Sequence, residues 1–208
     1  MDRIIELANQ IKDNGLRKKV VDFLKNPSLS HRDFKKYPKE DIKRAKTPFT
    51  VGNIGTAQRD VLKHTISVTE LCIKTAEVAE KNYGLKINKD HLIAGAILHD
   101  MMKLFEWKLD SDGDPEHTGI LLDHSFLGAA ELYFRDFPER VIHIVASHFG
   151  EHGPTPPRNF EALILHHVDN MLSLVEFHHN VEGGHKGHSM PIVVLDEETV
   201  KKLRESKE

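Results

Sequence analysis

The sequence predicts an all-α domain, a helical bundle with one small β-hairpin. Apolar residues recur three and four apart along most of the chain, the period of an amphipathic helix. Glycine, asparagine and proline punctuate those runs where helix ends are expected. Residues 106–120, EWKLDSDGDPEHTGI, have no helical period and set Asp112-Gly113 between Trp107/Leu109 and Ile120, a pattern suited to a tight hairpin.

Ile4, Ile5, Leu7, Ala8 and Ile11 make a first helix that Gly15 is expected to break. Val20, Val21, Phe23 and Leu24 make a second, ended by Asn26-Pro27. From Ser28 to Lys46 the chain is polar and lysine-rich, with a short helix expected from Pro38. TPFTVGNIG, residues 47–55, reads as an extended loop. A long helix is expected over 60–83, closed by Gly84, and Asn88 can cap the next. DSDGD resembles a calcium loop, but its glycine is out of position and no glutamate closes it, so it reads as a turn. Helices resume over 124–134, 138–148 and 160–177. Residues 150–157 read as a glycine- and proline-rich loop, and residues 178–190 as a second loop, a candidate lid, holding His178, His179, His185 and His188. A final helix is expected from Asp196.

The 208 residues, 39% apolar and 29% charged, suit one ordinary globular domain rather than a disordered chain. A net charge of −3 gives no global nucleic-acid or membrane surface. The single cysteine, Cys72, excludes an intrachain disulfide and suits a reducing compartment. Leu92 to Leu98 is the longest apolar run and is too short to span a bilayer, while MDRIIELANQ lacks a signal pattern. The expectation is a cytoplasmic protein with no membrane partner and no dedicated nucleic-acid domain. A homo-oligomer is left open.

Fifteen histidines beside one cysteine point to imidazole and carboxylate ligands. His64 lies with Val61, Val68 and Leu71 on an apolar face, and His148 follows Val141, Ile144 and Val145 in the same way. His124 shares a stripe with Leu127 and Gly128, Asp169 sits beside Leu165 and Leu172, and Asp100 continues Ile93, Ala96 and Ile97. Singly, each has a plain explanation as a hydrogen-bonded core residue or a cap. Together they give one inward polar group or pair per successive helix, and helices in a bundle aim such groups at a common centre. Buried carboxylates need a partner or a metal.

The same residues carry a resemblance. LKHTISV, ILHDMMK, LLDHSFLG, ASHFG and LHHVDN, in this order over roughly residues 60–175, resemble the HD superfamily of metal-dependent phosphohydrolases. The pattern is similar to that of archaeal dihydroneopterin 2′,3′-cyclic phosphate phosphodiesterases and of the HD domain of bacterial 3′–5′ exoribonucleases. The resemblance implies that His64, His99, Asp100 and Asp169 bind one metal. It implies a second held by His124 and His148, with Asp100 bridging. Two departures stand out: HDMMK replaces HDIGK but keeps Lys103, and Phe149 replaces a second histidine, which removes a ligand there. The implied organisation is an N-terminal helical extension (1–50), an HD hydrolase domain (51–180), and a C-terminal loop and helix (181–208) packed on it.

The implied chemistry is hydrolysis of a small nucleotide-like or cyclic phosphoester by a metal-bound hydroxide, the metals neutralising the phosphate. Asp100 would bridge. Lys103, three residues from Asp100 and four from His99, points to the same side and can bind a phosphate oxygen. His152, or Glu151 beside it, is the candidate to protonate the leaving alkoxide. His166 would support the ligands, and Phe105, Trp107 or Phe149 could stack a ring. One or two divalent ions per chain are expected, and iron, manganese, nickel, cobalt and zinc all accept such ligands. The rival readings are an HD-fold di-iron oxygenase and a non-catalytic module stapled by its metal.

Overall fold

The computed structural model describes residues 1–51 and 55–182. Helices α1 (Asp2–Ala8) and α2 (Asn14–Lys25) come first. Gly15 does not break α1; it lies in the first turn of α2, because the Asp13 carboxylate accepts from Leu16 N at 2.8 Å and starts the helix upstream of it. The expected helix from Pro38 is absent. The segment forms a 3₁₀ turn at Arg32–Phe34 instead, and Glu40 is drawn off into tertiary bonds. Its N–H donates to Leu104 O, and its carboxylate accepts from Leu109 N at 3.0 Å.

The expected loop at 47–55 is also corrected. Strands β1 (Lys46–Val51) and β2 (Gly55–Asp60) pair antiparallel, with Phe49 opposite Ala57, so the described residues hold two hairpins rather than one. Thr47 and Phe49 alternate inward with period two. The partner strand, GTAQRD, is almost without apolar residues, so it gives no strand signal.

Strand β2 leads directly into α3 (Val61–Tyr83), capped by Asp60 and closed by Gly84 at φ 66°. Helix α4 (Lys89–Leu98) is capped by Asn88, and every residue from Leu92 to Leu98 is buried. After a turn come α5 (Lys103–Glu106) and the expected hairpin, β3 (Trp107–Leu109) with β4 (Pro115–His117). In its turn Asp110 Oδ1 accepts from Asp112 N and Asp114 N, both at 2.9 Å. Helices α6 (His124–Phe134), α7 (Glu139–Ala146) and α8 (Phe160–Glu182) follow. Because α8 continues to Glu182, His178 and His179 are helical, not in a loop. The expectations for His185, His188 and the helix from Asp196 lie outside the described residues.

Helix α4 is the axis of the bundle. Its Ile93 and Ile97 face an apolar cluster built with α1, α2, α6 and α7; its Leu92 and Ala96 face a second built with α3 and α8. Gly95 sets its distance from α7, since a Cβ there would stand 2.3 Å from Ile144 Cγ2. That close approach brings His99, one turn beyond Gly95, to 5.3 Å between ring centroids from His148, one turn beyond Ile144. Gly95→Ala should cost about 1–3 kcal/mol of overpacking, offset by up to about 1 kcal/mol of helix propensity. Thermal denaturation of Gly95→Ala, Ile144→Ala and the double variant checks this. The double variant should be more stable than the sum of the single losses predicts.

Candidate metal centre

Each expected ligand reaches one pocket from a different place in the bundle. His64 comes from the first turns of α3, His99 and Asp100 from the end of α4, His124 from the start of α6, His148 from just past α7, and Asp169 from the middle of α8. His64 and His99 are fully buried, Asp100 and His148 are 2% exposed, and the Asp169 side chain is 14% exposed. The four imidazoles run in a chain, His64, His99, His148, His124, with centroids 5.6, 5.3 and 5.4 Å apart.

The donor atoms fall into two groups of three: His64, His99 and Asp169, and Asp100, His124 and His148. Asp100 lies between them. Its Oδ2 is 3.8 Å from His64 Nε2 and 3.5 Å from His99 Nε2, and its Oδ1 is 3.4 Å from His124 Nε2. All six residues therefore meet, as the sequence pattern implied.

The donor set fits a metal on its own chemistry. His99 Nδ1–H donates to Ala96 O at 2.8 Å and His148 Nδ1–H to Val145 O at 2.7 Å, which leaves each Nε2 as a bare lone pair turned inward. His124 Nδ1 donates to Glu106 Oε2 at 3.0 Å. The Nε2 atoms of His99 and His124 are buried without a hydrogen-bond partner among the described residues. Such a group costs free energy unless something fills the space beside it, and a cation accepting two lone pairs would do so.

Burial pushes the His99 imidazole below its usual range and the His148 imidazole down to about 3, so both are neutral and ready to ligate. His64 behaves differently. Burial and the neighbouring Arg59 would lower it, but the Asp169 and Glu176 carboxylates outweigh them and raise it above its usual value. Burial would raise Asp100, yet Lys103, His99 and His124 hold its carboxyl well below the carboxylate range. Asp169 is likewise held low, by His64 against burial.

These shifts set the acid behaviour of the metal-free chain. A raised imidazole stabilises the fold below its free value of about 6.5, and that contribution is lost as pH rises through the folded value. A lowered imidazole destabilises as pH falls below about 6.5, because only the unfolded chain takes up the proton. His64 belongs to the first kind, His99 and His148 to the second. Stability of the chelator-treated protein should therefore peak near pH 6.5 and fall on the acid side. Asp100 and Asp169 add a further loss below about pH 4. Denaturant midpoints between pH 8 and 4 measure it; a flat profile would contradict the buried neutral imidazoles.

Lys103 is buried beside the centre, its Nζ 2.9 Å from Asp100 Oδ2. His152 lies exposed on a 3₁₀ turn (Gly150–His152) directly after His148. His166 Nδ1–H donates to His148 O at 2.7 Å and so fixes the backbone that carries the ligand. Phe149 does not ligate; its ring lies 4.4 Å from that of His148 and remains 38% exposed. Phe105 is a core residue, which removes it as a ring platform, and Trp107 packs edge-on against His117.

Four residues of the site were not anticipated. Glu106 holds His124, and Glu176 approaches His64 Nδ1 at 3.1 Å. Arg59 Nη1 lies 2.9 Å from the His64 ring nitrogens and donates to Ser173 Oγ at 3.0 Å. Glu176 had a readable signal, standing two turns beyond Asp169 on the same helix face. Glu106, three residues beyond Lys103, had a weaker one.

Over 170 residues the chain is 45% identical to dihydroneopterin 2′,3′-cyclic phosphate phosphodiesterase of Methanocaldococcus jannaschii, covering 81% of this chain and 67% of that protein. It is 29% identical over 188 residues to 3′-5′ exoribonuclease YhaM of Bacillus licheniformis, covering 82% of this chain and 57% of that protein. Against the YhaM of a Geobacillus species it is 34% identical over 119 residues, covering 52% and 35%. No solved structure matches. No described helix is long and apolar enough to cross a membrane. The HD domain family matches residues 61–180, a span that holds all six of these inward side chains, and the chain belongs to that family of metal-dependent hydrolases.

Proposed function

We propose that the chain is a metal-dependent phosphodiesterase acting on a small nucleotide-like or cyclic phosphoester, with dihydroneopterin 2′,3′-cyclic phosphate as the first candidate. The observation that carries this reading is Asp100 set between two groups of donors, with the buried Nε2 atoms of His99 and His124 unpartnered among the described residues. The relative with 45% identity supplies the candidate substrate. The ligands would be His64, His99, Asp100 and Asp169 for one ion, and Asp100, His124 and His148 for a second. Bound divalent ions supply Lewis acidity: they lower the pKa of a water and neutralise charge on the phosphate.

The chain's own residues do the rest. Asp100, held ionised, gives one oxygen to each half. His99 and His148 keep fixed tautomers through backbone carbonyls, so no proton must leave them on loading. Lys103 offers an ammonium to a phosphate oxygen as a point charge. His152 would give the leaving alkoxide its proton from the exposed turn. Residues 51–180 would form the hydrolase unit with 1–50 as its extension, and the single cysteine favours the cytoplasm as its compartment.

Metal analysis combined with a phosphoester screen, including 2′,3′-cyclic substrates, tests the function. Turnover should vanish with chelator and return with redox-inert as well as redox-active divalent ions. Iron-dependent oxygen consumption without phosphoester cleavage would favour the oxygenase reading. Lys103→Ala should keep its metal and lose about two orders of magnitude in turnover, the scale of a lost oxyanion donor. Turnover at the wild-type rate would remove Lys103 from the phosphate.

A further inference from the structure

The least expected group in the site is the guanidinium of Arg59. It comes from β2, five residues before His64, and its side chain is only 9% exposed. One face lies over the Phe49 ring, 4.3 Å from the centroid. Its Nη1 stands 2.9 Å from His64 Nε2, 3.9 Å from Asp169 Oδ1 and 3.5 Å from Glu176 Oε2. Two of those three atoms belong to the first group of metal donors. Its Nε is buried with no hydrogen-bond partner among the described residues.

An arginine that only stapled the hairpin to α8 through Ser173 and Glu176 would have its donors spent on those partners. This one keeps an unused buried N–H and crowds the donors of a cation. A guanidinium cannot stay against His64 and Asp169 when a divalent ion sits between them, because like charges repel strongly in a poorly solvated site. It has somewhere to go. Arg59 and Glu176, which both touch His64, also line a cavity of about 300 Å³ together with Gln58, Lys63, His179 and Asn180. A small displacement toward that cavity would leave the guanidinium fork beside the donor group with several N–H groups free. Planar, paired donors of this kind match phosphate oxygens.

We propose that Arg59 is a phosphate-binding residue of the loaded site, and that hairpin β1–β2 exists in part to deliver it. The assignment rests on the phosphodiester reading above and adds to it a second anion-binding side chain, opposite in origin to Lys103.

Calorimetric titration of the metal-loaded protein with inorganic phosphate, for wild type, Arg59→Gln and Arg59→Lys, tests it. The metal-free forms are titrated with Mn²⁺ in parallel. Arg59→Gln should bind Mn²⁺ at least as tightly as wild type and bind phosphate about tenfold more weakly or worse, on the scale of lost charged hydrogen bonds. Its KM should rise more than its kcat falls. Arg59→Lys, which keeps the charge but loses the fork, should bind phosphate with intermediate strength, and serves as the variant if Arg59→Gln does not fold. Phosphate affinity equal to wild type in either folded variant, whatever its thermal stability, overturns the proposal and leaves Arg59 a structural staple. Arg59-dependent phosphate binding without phosphodiester turnover would keep this proposal and remove the hydrolase reading. Turnover with Arg59-independent phosphate affinity would do the reverse.

Discussion

Asp100→Ala should lose metal at both positions and reduce phosphodiester turnover to background. His64, His99, His124 and Lys103 all lie within 3.8 Å of its two oxygens, so it touches both groups of donors. Removing one oxyanion donor from an active site typically costs about 10²–10³ in rate. Asp100 would serve both halves, so its loss should exceed that range. The variant also strands Lys103, whose buried ammonium has Asp100 as its ion-pair partner among the described residues. Breaking a buried pair from one side costs about 3–5 kcal/mol. Asp100→Ala/Lys103→Met should therefore recover thermal stability without recovering metal. Plasma emission measurements on both variants, beside their melting curves, separate the two effects. Full metal content in Asp100→Ala would refute the shared-ligand assignment.

His148→Ala should keep one ion per chain and lose most activity. The first group, His64, His99 and Asp169 with Asp100, is untouched by the change. The second retains only His124 and the shared carboxylate, too few to hold a divalent ion well. A lone ion no longer clamps the phosphate from both sides; paired ions in such sites stand ~3.5–4 Å apart and share the task. Metal titration with a chromophoric competitor should show two binding steps in wild type and one in the variant. Two steps in the variant, or one in wild type, would assign His124 and His148 to the substrate rather than to a second ion.

Sequence spacing reached the inward histidines and aspartates because helices impose a strict period. His64, His124, His148 and Asp169 each continue an apolar stripe of their own helix, so their faces follow from offsets of three, four and seven. The helix bounds at Gly84, Asn88 and His124 were legible for the same local reason: caps and breakers act within a turn. Apart from the local β1–β2 hairpin, what escaped depends on contacts far apart in the chain. The strand pairing of Phe49 with Ala57 has little apolar alternation on its second strand, so nothing local marks it. Arg59 becomes interesting only once β2 lies beside α8, where Ser173 and Glu176 await it. Glu40 leaves its expected helix for a bond to the hairpin residue Leu109, sixty-nine positions away.

The outer hydrogen bonds of the four imidazoles have a consequence for how the centre fills. In each half one ring leans on a carboxylate, His64 on Glu176 and His124 on Glu106, and one on a backbone carbonyl, His99 on Ala96 and His148 on Val145. A carboxylate behind an imidazole makes its lone pair more basic. The halves thus repeat the same pair of donors, one strong and one moderate, as if a single half-site had been written twice across Asp100. Their difference is charge: the first half adds Asp169, the second has only its share of Asp100. Occupancy should accordingly be sequential, the more anionic half first. At limiting metal the protein would then pass through a state with one ion in place and the other seat vacant, making its output a graded reporter of metal supply.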